Sequence, residues 1–239
     1  MKRTWVVARF LTRELFLSLM GILPIAAAVT FGLIAFEYGM DQAQFFTVAG
    51  LGTATICLAT ALLLAARANH AWFYPLLARL SRRGELLAAI VLSSVGITAL
   101  LALLIAVANL ATGRLTLHMP SALWLLPTWL ALWLLAAALA LPLASLTSRS
   151  GSHLALWALF AALLIVNDQK STLLAGGPEW AVRPLTIIFW PVTTLLSQAS
   201  AGVHDLDYFL ALLLVLVYAL FLFVLAAYLF SNKDLLWAE

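Results

Sequence analysis

Long uncharged apolar runs, each closed by charged or polar residues, dominate the pattern along this chain. A helix needs ~20 apolar residues to cross the hydrocarbon core of a bilayer. Six runs are of that order: 16–36, 45–66, 86–110, 122–146, 153–168 and 208–230. The fifth is the shortest, because Asn167 and Asp168 end it. The pattern predicts an all-α integral membrane protein with six transmembrane helices, forming a single transmembrane domain over 1–239.

Two segments outside the runs carry a pattern of their own. On a helical wheel Lys2, Arg9, Thr12 and Arg13 share one face while Val7, Phe10, Leu11 and Leu15 share the other, which predicts an N-terminal amphipathic interfacial helix over 1–15. A plain basic anchor ahead of the first span accounts for the same residues. No cleaved secretory signal is expected, since the apolar run continues past the small residues Ala26 and Ala28 to Phe36. The region 169–207 is less regular. Residues 184–201 are uncharged, yet Pro184, Thr186, Pro191, Thr193, Thr194, Ser197, Gln198 and Ser200 make them the most polar candidate for a span. A re-entrant or interfacial helical pair broken near Pro191 fits better than a seventh span, because polar groups and broken backbone are tolerated at membrane depth only against protein or water.

Charge sets the orientation. Short cytoplasmic loops collect Lys and Arg. With the N-terminus inside, Lys2, Arg3, Arg9, Arg13, Arg67, Arg79, Arg82, Arg83, Arg149 and Lys233 are cytoplasmic, and Arg114, Lys170 and Arg183 are outside, ten against three. Both termini are therefore expected in the cytoplasm, the protein in the cytoplasmic (inner) membrane, and 169–207 on the extracytoplasmic side.

Composition narrows the function. Hydrophobic residues make up 65% of the 239 and charged residues 10%, against about 25% charged in soluble domains, so an ordinary soluble globule is excluded. The net charge of +3 is too small and too dispersed for a nucleic-acid binder. Cys57 is the sole cysteine, and His70, His118, His153 and His204 are scattered with no i, i+4 pair, so no metal or other cofactor is expected. Ser150, Ser152 and His153 lack a G-x-S-x-G turn, and no catalysis is expected. Glu37, Asp41, Asp168, Asp205 and Asp207 fall at span ends, leaving no intramembrane carboxylate for an ion-coupled carrier. Small residues such as Gly50, Gly52, Thr53, Ser94 and Thr98 let helix backbones approach closely. Trp129, Trp133 and Trp157 either pack between helices or line a route for a lipid-like cargo, and Pro127 and Pro142 are expected to kink the fourth span.

The loop 67–85, RANHAWFYPLLARLSRRGE, is unlike the rest. Trp72, Phe73 and Tyr74 precede Pro75, which suits the first position of a short helix carrying Leu76, Leu77 and Leu80. Such a helix, lying parallel to the membrane with Arg79, Arg82, Arg83 and Glu85 around it, presents the aromatic and arginine side chains that dominate docking contacts. An aromatic belt with basic anchoring explains the loop equally well.

In the order of its parts the chain resembles the permease subunits of type 2, exporter-type ABC transporters. LARLSRRGELL at 77–87 is similar to the family's P-[LIV]-S-R-x-[EQ] stretch at the start of span three, with Ser81, Arg82 and Glu85 in corresponding places. The family's preceding proline is replaced here, and Ala88 and Ala89 stand where a lysine is common. AYLFSNKDLL at 227–236 resembles the family's phenylalanine, basic and Asp-Leu finish. The resemblance implies a cytoplasmic coupling helix at 70–80 between spans two and three, and re-entrant helices within 173–200. It also implies pairing with a second permease subunit, identical or paralogous, and two copies of a separate ATP-binding subunit that carries ATP and Mg. Trp72, Phe73, Tyr74 and Leu77 would be its docking knobs, with Arg79, Arg82, Arg83 and Glu85 as surrounding ion-pair partners. No G-x-x-x-x-G-K-[ST] loop occurs in this chain, as expected if ATP is hydrolysed elsewhere. The scarcity of intramembrane charge leans the cargo toward hydrophobic or amphipathic molecules. A substrate-capture subunit of an importer, which would grip its partners through membrane helices, and a membrane assembly factor or enzyme with no ATPase partner are the alternatives. The aromatic-arginine loop speaks against the first.

Overall fold

Every described element is a helix. The computed structural model describes residues 2–38, 41–69, 84–113, 119–144, 146–147 and 179–232, so the expected fifth span and most of the 67–85 loop lie outside it. The helices are α1 (Lys2–Phe16), α2 (Ile22–Tyr38), α3 (Gln42–Ala68), α4 (Gly84–Ala111), α5 (Met119–Leu143), α6 (Glu179–Ala201) and α7 (Leu206–Asn232). Among the described residues there is no strand.

The amphipathic pattern of the N-terminus sorts as the wheel requires. Val7, Ala8, Leu11 and Leu15 are buried in α1, and Arg3, Arg9 and Arg13 are exposed. The buried face lies against α4, where the Ser93 hydroxyl donates to the Ala8 carbonyl at 3.0 Å. A single 3-10 turn, Leu19–Gly21, then swings the chain through 92° into α2. Ser18 donates to the Leu15 carbonyl at 2.7 Å within this corner. A Cβ on Gly21 would come within 2.5 Å of the Leu15 carbonyl oxygen, so the corner closes only around glycine. Pro24 follows in the first turn of α2, where a missing N–H costs no intrahelical bond. The apolar run at 16–36 is thus divided, and the helix that carries most of it begins at Ile22 rather than at residue 16.

Asp41 starts α3 by accepting from the Gln44 N–H at 2.7 Å. The helix widens into one π turn at Phe45–Ala49 before continuing as α-helix. α3, α4, α5 (from Leu123) and α7 are each long and apolar enough to cross a membrane, and the bent α1–α2 pair is a fifth candidate. α5 occupies the centre and packs most extensively on α3 and α7, while α4 packs on α3 and α1.

α6 corrects a second expectation. It runs unbroken through Pro191, where the sequence predicts a broken pair. α5 likewise continues through Pro127 and Pro142. A proline removes one backbone hydrogen bond, whereas breaking a helix in an apolar surrounding would orphan several, so continuity is the cheaper solution. Phe189, Val192, Leu195 and Leu196 are buried around that proline, and Thr193 returns its hydroxyl to the Phe189 carbonyl. The apolar part of α6, Ile187–Ala201, is shorter than a full span.

Candidate functional site: a docking end and a sealed interior

α3 and α4 form an antiparallel pair with Cys57 set against Ser94 and Thr98. That register brings Ala68 and Glu85 to the same end of the pair. The chain leaves α3 there at Asn69 and enters α4 at Gly84, so the described residues that flank 70–83 meet at one end of two packed helices. Both flanks are packed: Leu64, Ala65 and Ala68 on one side and Leu86 and Leu87 on the other are buried. Arg67 sits in the last turn of α3 and Glu85 in the first turn of α4, each complementing its helix dipole.

α1 crosses α4 at this same end. The 28 residues of α4 extend about 42 Å, some 12 Å more than the ~30 Å hydrocarbon core. Ser93, nine residues in, lies about 13 Å from the helix start, and α1 packs on α4 at that level. Of the docking residues expected from the sequence, the structure describes Glu85, half-buried at the foot of α4. Trp72, Phe73, Tyr74, Leu77, Arg79, Arg82 and Arg83 lie outside the described residues.

The interior between α3 and α5 is closed by indole hydrogen bonds. Trp129 donates to the Phe46 carbonyl at 3.2 Å, within the π turn. Trp133 donates to the Thr53 hydroxyl at 2.9 Å, and that hydroxyl donates to the Ala49 carbonyl at 2.7 Å. The Cys57 thiol reaches the Trp133 carbonyl at 3.4 Å. Gly50 makes room for this: a Cβ there would stand 2.9 Å from the Trp129 indole nitrogen. Gly52 does the same for Phe31 of α2, whereas Gly96 of α4 faces open space. Trp129 and Trp133 are therefore packing residues between helices, which decides the choice the sequence leaves open for them.

A residue the sequence reading passes over is Tyr208. It is fully buried at the start of α7 and shares a 2.9 Å hydrogen bond with Thr128. Trp124 stacks on His204 at 4.4 Å between ring centroids and meets Tyr208 edge-on. Its aromatic character at a span boundary was the available signal, though belt residues carry the same signal. Among the described residues no three His, Cys, Asp or Glu side chains cluster to hold a metal ion. Hydroxyls, indoles and a thiol bonded to carbonyls and to one another lock helices together.

The class these observations define is an all-α protein with several helices long and apolar enough to cross a membrane. Comparison with protein-family models, with curated proteins and with solved structures finds no match to this chain.

Proposed function

We propose that the chain is the membrane-spanning permease subunit of an ATP-driven transporter of the type 2 ABC class, exporting a hydrophobic or amphipathic cargo. It has six spans, its termini are cytoplasmic, and it sits in the cytoplasmic membrane. A separate ATPase subunit docks on 67–85, with Trp72, Phe73, Tyr74 and Leu77 as knobs and Arg79, Arg82, Arg83 and Glu85 as charged surroundings. A second permease subunit completes the pathway.

One observation carries this reading. Asn69 and Gly84, the described residues on either side of the aromatic-arginine segment, lie at one end of the α3–α4 pair, and α1 packs on α4 toward that same end. A force applied to the segment would reach two spanning helices directly. The sealed α3–α5 interior also fits a subunit that moves as a packed body and forms its pathway against a partner.

The test is a mild-detergent purification of the tagged chain from cells, with mass spectrometry of what accompanies it. An ATP-hydrolysing subunit in equal ratio, lost when Trp72 and Phe73 become Ala while the chain stays monodisperse, is the expected result. A chain that purifies alone, or whose ATPase partner is indifferent to those two substitutions, overturns the proposal.

A further inference from the structure

A groove of about 450 Å³ runs between α2 and the second half of α4. Its α2 wall is Ala28, Val29, Gly32 and Leu33, and its floor includes Ile105, whose Cγ1 would lie 3.6 Å from a Cβ on Gly32. Along α4 it extends from Leu101 to Thr112, eleven residue steps or about 16 Å, which is half of the ~30 Å hydrocarbon core and so the depth of one leaflet. Polar groups occur only at the outer end. There Asn109 spends one amide N–H on the Ile105 carbonyl at 2.8 Å and keeps its second N–H and an oxygen lone pair, while Thr112, exposed one residue past the end of α4, donates its hydroxyl to the Ala108 carbonyl at 2.9 Å and keeps only acceptor capacity.

We infer that this groove is a binding site for one acyl chain of a bilayer phospholipid, with Asn109 and Thr112 meeting the glycerol ester region at the interface. The inference stands on these helices lying in a bilayer and is independent of the transport proposal. Three features select a lipid chain over a protein helix. The groove is one leaflet deep, whereas a spanning partner helix needs a seat along the full core. It is apolar along its length and polar where ester carbonyls sit. Finally, α2 touches the bundle along a narrow stripe, leaving Ile25, Val29 and Leu33 exposed beside the groove for a flexible chain to cover.

The full chain is reconstituted in vesicles of phosphatidylethanolamine and phosphatidylglycerol containing a trace of phosphatidylethanolamine with a diazirine at mid-chain. After irradiation, adducts are mapped by peptide mass spectrometry. Adducts on the peptides holding Val29 and Leu104 are expected severalfold above those on Leu213 and Phe221, which are equally exposed on α7. Ala108→Phe, and separately Gly32→Leu, should fill the groove and bring the yield down to the α7 level with elution volume unchanged. Ala108 is itself exposed, so its replacement does not enter the core. Even labelling of α2, α4 and α7 in the unaltered chain overturns the assignment. So does efficient disulfide formation between copies carrying Val29→Cys, since it would place another protein chain in the groove.

Discussion

Replacing Thr53 by Val tests whether the interior is locked as described. Valine keeps the shape of threonine but removes the acceptor that the Trp133 indole uses at 2.9 Å, at a site where both residues are buried. An orphaned buried donor costs about 1–3 kcal/mol in water-soluble proteins. Between membrane helices the coupling averages only about 0.6 kcal/mol and reaches about 1.7, because the unfolded chain in the membrane also finds partners. Trp133→Phe removes the donor instead, and the Thr53 hydroxyl keeps its 2.7 Å bond to Ala49. The two changes should therefore be non-additive by about 0.6–1.7 kcal/mol, roughly 3- to 20-fold in the unfolding constant. The assay is reversible unfolding of the full chain in micelles titrated with SDS, on the parent, both single variants and the double variant. Thr55→Val is the control, since that hydroxyl bonds only to Leu51 of its own helix at 2.9 Å. If Thr53→Val couples to Trp133→Phe no more strongly than Thr55→Val does, the interhelical bond is not holding α3 to α5.

Three more outcomes follow from the same packing. Gly50→Ala places a methyl 2.9 Å from the Trp129 indole nitrogen and should cost about 1–3 kcal/mol, with relief in a Trp129→Phe background; equal stability losses in both backgrounds would refute the close approach. Cys57 is fully buried, so maleimide should label it only after denaturation, and labelling of the folded chain as fast as a Leu213→Cys control (made with Cys57→Ala) would contradict the helix packing. Leu11→Asp buries a carboxylate between α1 and α4, and limited trypsin digestion should then cut at the exposed Arg9 and Arg13 much faster; an unchanged rate would mean that this face does not hold α1.

The parts of the fold legible in the sequence are those fixed by one-dimensional pattern. Uncharged runs locate α3, α4, α5 and α7 to within a few residues, because the hydrocarbon core tolerates neither charge nor unpaired backbone. The face of α1 follows from its 3.6-residue period. The corner before α2 was hidden because FLSLMGILP is uncharged and almost wholly apolar, and only the backbone clash at Gly21 reveals why the chain must turn there. Pro191 misled in the other direction, since proline lowers local helix propensity while the surrounding solvent penalises breaking the helix far more. The lock between α3 and α5 depends on which tryptophan meets which hydroxyl across about 80 residues of sequence, and no local pattern records that. For the 67–85 loop, sequence supplies the composition and structure supplies the flanking residues Asn69 and Gly84.

The right-angled corner between α1 and α2 has a mechanical consequence. With glycine filling a space too small for any side chain, the two arms form a bell crank whose pivot is the Leu15–Gly21 turn and whose α1 arm is bonded to α4 at Ala8. The 15 residues of that arm measure about 22 Å, so a 5° swing of the arm moves its far end by about 2 Å. Tilting of α4 would therefore be converted into rotation of α2, coupling two helices that otherwise touch along only a thin strip.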